Sequence, residues 1–342
     1  LTHWRSAGEG RRFRRSRERN TLKLQAQVSA WTVLVENVMT QPRYIVPGMT
    51  VMVTRRTLLR TFLLRPDPQL RQIYLYCLAV LTARFGIQVH VPVLMSTHEH
   101  LMVTDTRGEL PLFLREFHRT IALCVKALRG WNGPVWDHER ASVVRLETPE
   151  SIIQMAAYMI ANPVAAGLVR KSSDWPGVSI APEQIGRKQW TIVRPRVYFD
   201  PTNSLWPEAA TLELTLPGNM TMSEDAVRAA VAYQLAQAEA SATADVRARG
   251  VAFLGRDRAC RCSPFRRATS EEPRNALNPT FAVGKGQREA FVKAIKALRA
   301  FRCAYRDALT RWRNGVRDVL FPAGTWLMHR LHAAHVVSAI HP

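Results

Sequence analysis

Apolar and polar residues recur along the middle of the chain in two periods, and together they predict an ordered series of elements. Met49–Arg56 (MTVMVTRR) alternates behind Pro47-Gly48 and predicts a strand. From Asp67 to Gly86, the residues Leu70, Ile73, Leu75, Leu78 and Leu81 keep a helical spacing behind an aspartate cap and Pro68, and the glycine ends it. IQVHVPVLM and HEHLMVTD predict two strands joined by a tight turn at Ser96-Thr97. A second amphipathic helix ends at Gly130, and ASVVRLE predicts a short strand. A third helix opens with Thr148 as cap and Pro149 at its first position. The order β-α-β-β-α-β-α is the ferredoxin-like split βαβ arrangement, an α+β fold with helices packed on an antiparallel sheet.

Beyond this unit the periods weaken. QWTIVRPRVYFD and ATLELTLP are candidate strands, and Ser223 caps a long helix. KGQREAF…RWRNG predicts a second long helix, with eight basic residues from Arg288 to Arg313 scattered around most of its circumference. An apolar-basic tail follows. Residues 1–41 are polar and Arg-dense with no sustained period, which predicts a disordered basic arm, and Met39 is a candidate start within it. The expected organisation is an arm over 1–41, an α+β domain over 42–181 and a basic, mainly helical extension over 182–342.

Composition adds a partner class. The 342 residues are 47% hydrophobic, enough for a sizeable core, and hold no apolar run of the length a membrane helix needs, about 18 residues. No secretory apolar segment follows the basic N-terminus, and the five cysteines are odd in number and irregularly spaced. The expected setting is the cytoplasm, with reduced thiols and no membrane. Lys+Arg number 48 against 27 acidic residues, a net charge of +21 carried almost wholly by arginine. That balance favours a polyanion, and arginine suits bidentate phosphate contact, so nucleic acid is the expected partner. Cys260 and Cys262 lack the second pair a zinc site needs. VGKGQ lacks phosphate-loop spacing and predicts a turn leading into a helix.

The candidate chemistry begins at His98 and His100. On a strand they share one face, and Glu99 takes the other. The pair alone leaves two readings open: two core histidines with satisfied hydrogen bonds, or two neutral imidazoles holding a divalent ion. A metal needs a further ligand. On the third helix, at ~100° per residue, Ile152, Met155, Ala156, Met159 and Ile160 form the core face, and Tyr158 and Asn162 stack at its border. Pro163 discourages further helix and so places Asn162 near its end. Singly, Tyr158 reads as a core-edge tyrosine and Asn162 as a C-terminal cap. Arg55 and Arg56 are candidate DNA contacts, as are Trp131 and Trp136, whose indoles either stack on bases or anchor their loop. Glu116 and His118 on the second helix either approach the site or, the commoner outcome, are solvated.

YMIANPVAAGLV downstream of MSTHEHLMVTD, with PRYIVPGMTVMVTRR upstream, resembles the single-tyrosine HUH transposases. The branch it resembles is the REP-associated tyrosine transposases, related to the transposases of the smallest bacterial insertion sequences. The resemblance runs from Pro42 to about Pro176 and implies the same split βαβ fold. It implies that His98, His100 and Asn162 hold Mg²⁺ or Mn²⁺. Tyr158 would be the nucleophile that attacks a DNA phosphodiester, giving a 5′-phosphotyrosine and a free 3′-hydroxyl. The implied enzyme is a DNA transposase or single-strand endonuclease acting on single-stranded or hairpin, REP-like DNA near the bacterial nucleoid. The sequence leaves open whether one copy or a homodimer acts. Glu99 departs from the family, in which a hydrophobic residue usually lies between the histidines; it requires either an arginine partner or an open sheet face. It also favours a second reading, a catalytically inactive DNA-binding protein on the same fold.

Overall fold

Three of the predicted helices start on a side-chain cap, from Asp67, Thr148 and Ser223. In the computed structural model, which describes residues 42–269 and 279–338, Asp67 Oδ1 accepts the Leu70 amide at 2.8 Å. That cap opens α1 (Pro68–Phe85), and Gly86 ends it in the left-handed region at φ 66°. The second helix, α2 (Leu110–Arg129), stops in the same way at Gly130. In α3 (Pro149–Ala165), Thr148 and Ser151 cap each other reciprocally. The basic arm expected over 1–41 lies outside the described residues.

Four strands make the sheet that the pattern predicts: β1 (Met49–Arg56), β2 (Ile87–Leu94), β3 (His98–Asp105) and β4 (Ser142–Leu146). They lie in the order β2-β3-β1-β4, with every one of these neighbours antiparallel, the split βαβ order. Within it, Thr54 stands opposite His100, Arg55 opposite Glu99 and Arg56 opposite His98. Strand alternation then puts Thr54, Arg56, His98 and His100 on one face, and Arg55 and Glu99 on the other. α2 covers the Glu99 face through His118, and α3 reaches the histidine face through Asn162.

Two features of this region differ from expectation. α3 does not stop before Pro163 but continues through it to Ala165. A proline in the last turn forfeits one hydrogen bond there, while its neighbours keep theirs: the Ala166 amide reaches Asn162 O at 2.9 Å. Pro163 and Val164 are buried, and that packing favours the extra turn. The second feature is a fifth strand, β7 (Phe281–Ala282), which joins the sheet parallel to β4.

The extension contains the hairpin of β5 (Gln189–Val193) and β6 (Ala209–Glu213). Its helices are α4 (Glu224–Ala248), capped by Ser223, α5 (Arg256–Arg261), α6 (Arg288–Arg313) and α7 (Trp326–His332). Pro182 is no break in the packing. Leu212, Val227, Val231, Leu235 and Ala259 share one buried cluster with β1, β3 and α1. α1 is buried on every side from Ile73 to Ala79, and the β5–β6 hairpin packs against it. Among the described residues no helix is long and apolar enough to cross a membrane.

Candidate metal and nucleophile site

β3 presents the two imidazoles and α3 presents the tyrosine and the amide, so the four predicted residues come together. The His98 and His100 rings are 4.7 Å apart at 83°, and the Tyr158 ring is 5.7 Å from that of His100. Asn162 Nδ2 lies 3.1 Å from His100 Nε2. His100 is only 4% exposed, whereas Tyr158 is 47% exposed, with its phenol at the rim of the site.

Threonines set the imidazoles. Thr54 Oγ1 is 2.9 Å from His100 Nδ1, and Thr97 Oγ1 is 3.0 Å from His98 Nδ1. With Asn162 Nδ2 donating to Nε2 of His100, the ring proton of His100 lies on Nδ1 and is donated to Thr54. Burial holds the His100 pKa well below its ordinary value, and the neighbouring His98 and Arg56 lower it further. The imidazole is therefore neutral at physiological pH, with the Nε2 lone pair pointing towards α3.

This donor set fits a divalent ion. Ligands at right angles around an octahedral ion, each about 2.1 Å from it, are about 3 Å apart, close to the Asn162–His100 separation. Turning the amide about its last torsion puts Oδ1 where Nδ2 now lies. The hydroxyl behind each Nδ1 orients its ring from the side on which ligating histidines keep an outer-shell partner. Among the described residues no group of three or more His, Cys, Asp and Glu side chains could hold a metal, Cys260 and Cys262 included. With its amide turned, Asn162 offers an oxygen donor beside His100 Nε2.

Beneath the strand the expectations for Glu99 and His118 are corrected. Glu99 is fully buried, and His118, far from being solvated, is buried against it with Nε2 in a short hydrogen bond to Oε1. The Glu99 face is closed, and its direct partner is a histidine. Arg55 adds attraction across that face; burial lowers its own pKa, and Glu99 and Asp137 act in the opposite direction. The Tyr74 phenol is pushed well up by burial and then by the Glu99 carboxyl, although its hydroxyl and Glu99 Oε2 do not reach full hydrogen-bond geometry.

The four candidate DNA contacts separate. Arg56 is exposed on the histidine face. Arg55 lies on the opposite face, where it donates to Asp137 O at 3.3 Å. Trp136 is only 9% exposed and donates to His118 O at 2.7 Å, so it anchors its loop under α2 and cannot stack on a base. Trp131 donates to Pro134 O, and one of its faces is stacked on Phe265. Thr54 and Thr97 escape the sequence reading as partners of the site, and His118 reads there as solvated. Only the β1–β3 register, which sets Thr54 opposite His100, singles out Thr54 from other strand threonines.

No family model and no curated protein matches the chain. A solved structure of a REP-associated tyrosine transposase bound to a REP hairpin is similar at 20% identity and a TM-score of 0.35, over 41% of this chain and 81% of that one. A likeness that slight carries no argument, and the geometry has to stand by itself.

Proposed function

We propose that the protein is a metal-dependent DNA strand transferase of the REP-associated tyrosine kind, cutting and rejoining single-stranded or hairpin DNA through Tyr158. The observation that carries this reading is the meeting of Tyr158, Asn162 and His98 around the His100 ring. Tyr158 Oη attacks a phosphorus atom, the P–O3′ bond breaks, and a 5′-phosphotyrosine forms. The phenolic proton leaves to solvent, which the exposed position of Tyr158 allows, and the departing 3′-oxygen takes up a proton. Because the phosphoester energy stays in the covalent bond, an incoming 3′-hydroxyl can reverse the step and free the phenol.

His98, His100 and Asn162 would hold Mg²⁺ or Mn²⁺, and a bound ion supplies polarisation of the scissile phosphate and offsets its developing charge. Burial keeps His100 neutral and so makes it a ligand rather than a proton carrier. Thr54 and Thr97 hold the Nδ1 atoms of His100 and His98 and so orient the two rings. The net charge of +21 draws a polyanion to the surface. Since Glu99 is paired with His118, it no longer favours the inactive DNA-binding reading.

The test is a 3′-labelled hairpin oligonucleotide incubated with Mn²⁺ and run on a denaturing gel. A label that travels with the protein, and is lost in Tyr158→Phe and with chelator, is the expected outcome. Undiminished cleavage by Tyr158→Phe overturns the proposal.

A further inference from the structure

α6 carries a feature that the site on β3 and α3 does not use. Its inner face is fixed: Ala294 and Leu298 pack with Phe281 and Val283, Ala308 with Phe321, and the Phe301 ring meets Tyr44 edge-on at 5.0 Å. The eight basic residues surround the rest of the helix, as their scatter in sequence predicts. Four of them, however, fall on one line. At ~100° per residue, Arg288, Arg299, Arg306 and Arg313 lie within about 40° of one another, and the line runs about 37 Å along the helix.

All four are exposed, and none forms an ion pair with another described residue. Arginines in the body of the fold behave differently: Arg65, Arg129, Arg145 and Arg228 each hold a carboxylate. The acidic residues of α6, Glu289 and Asp307, lie about 100° around from Arg288, off the line. At the start of the helix Arg288, Lys293 and Lys296 line a shallow recess with Glu289 and Val292. A helix that lies on a membrane turns a broad apolar face outward, but the apolar face of α6 is buried in the protein. What remains is a row of guanidinium forks with no carboxylate partner among the described residues, about 10 Å apart from Arg299 to Arg313, the axial rise of about three nucleotides of a B-form strand.

We infer that this face of α6 is a track for the phosphate backbone of DNA, a sequence-independent binding surface separate from the Tyr158 site. The inference rests on the reading that the partner is nucleic acid, and it extends that reading to a surface outside the segment that resembles the transposases. It involves no chemistry at Tyr158.

The experiment measures binding of the full chain to a fluorescent duplex of about thirty base pairs, by anisotropy, from about 50 to 200 mM salt. Replacing all four arginines with glutamine, a good helix former, leaves α6 intact by circular dichroism. The slope of log K against log salt is expected to fall by about 3 to 4, at about 0.9 per phosphate contact, with affinity at least about tenfold weaker. The four-lysine variant restores the slope. A control replacing the exposed Arg247, Arg249, Arg256 and Arg261 with glutamine removes the same charge and is expected to keep the wild-type slope. Equal losses in both glutamine variants, or no loss in the α6 variant, overturn the track. So does stripe-dependent binding to anionic lipid vesicles with duplex binding unchanged. Adduct formation is scored separately. Stripe-dependent binding without any adduct overturns the Tyr158 reading alone, and adducts with a stripe-independent slope overturn the track alone.

Discussion

Glu99 is the residue on which the local physics turns. A buried carboxyl with no partner is strongly unfavourable, and this one sits at the centre of a sheet between two residues that face the opposite way. His118 reaches it from α2, and the Trp136 indole holds the backbone of that histidine from the loop beyond. β3 is therefore polar on both faces, with imidazoles above and, below, a carboxyl whose Oε1 is held by His118. Removing one partner leaves the other stranded. We predict that His118→Ala lowers stability by about 3 kcal/mol or more, whereas Glu99→Leu combined with His118→Leu stays within about 1–2 kcal/mol of wild type. Urea denaturation of His118→Ala, the two single leucine variants and the double variant measures this. Additive losses would mean that the pair is not a coupled unit.

At the level of elements, β2 carries a bulge between Val89 and Val91, and His90 lies within it. His90 Nδ1 donates to Thr215 O at 2.8 Å, and Nε2 accepts from the Thr104 hydroxyl at 2.8 Å. The ring thus ties the strand to the segment after β6. Burial lowers its pKa to about 4, against an ordinary 6.5. Below 6.5 the unfolded chain binds the proton and the folded chain does not, so stability is complete above about pH 6.5 and falls as the pH drops towards 4. The full difference is of the order of 3 kcal/mol. Urea midpoints measured from pH 7 to pH 4.5 should fall, and His90→Gln should flatten the slope in part, because His100 contributes in the same direction. An unchanged slope in His90→Gln would contradict this.

The same scale explains what could be seen in the sequence. Elements with signals at their own ends, such as Asp67 with Gly86, Gly130, and Thr148 with Pro149, were legible because caps are local. β7 was not, since two residues have no period and only β4 defines them. The turn of α3 past Pro163 depends on burial of Pro163 and Val164, which the local rule against proline cannot register. The grouping of Tyr158 with Asn162 could be read from i, i+4 spacing, and that of His98 with His100 from strand alternation. Their meeting, and the burial of His118 and Trp136, depends on chain pairing over long separations.

For the whole molecule, the apolar core runs without a break from β1 and β3 through α1 to α4. The boundary expected at residue 181 therefore cuts through shared packing. Val227, Val231 and Leu235 are each buried, and burying a side chain of that size stabilises by about 1.5–3 kcal/mol. Several such losses approach the total stability of a typical domain, about 5–15 kcal/mol. A fragment of residues 42–181 should melt well below the full chain, or fail to fold, when the two are compared by calorimetry. Equal melting temperatures would show the extension to be energetically separate. The main core thus fixes β3 and α3, while α6 packs on two smaller clusters of its own with its arginine line outside.

The central claim is that Tyr158 is the group that takes the DNA, and mass spectrometry of the adduct tests it most directly. After reaction with a hairpin oligonucleotide and Mn²⁺, nuclease trimming and tryptic digestion, the nucleotide mass should sit on the peptide of residues 146–170, on Tyr158. An adduct on any other residue, Tyr233 for example, or none in a folded protein that binds the hairpin and Mn²⁺, would contradict it.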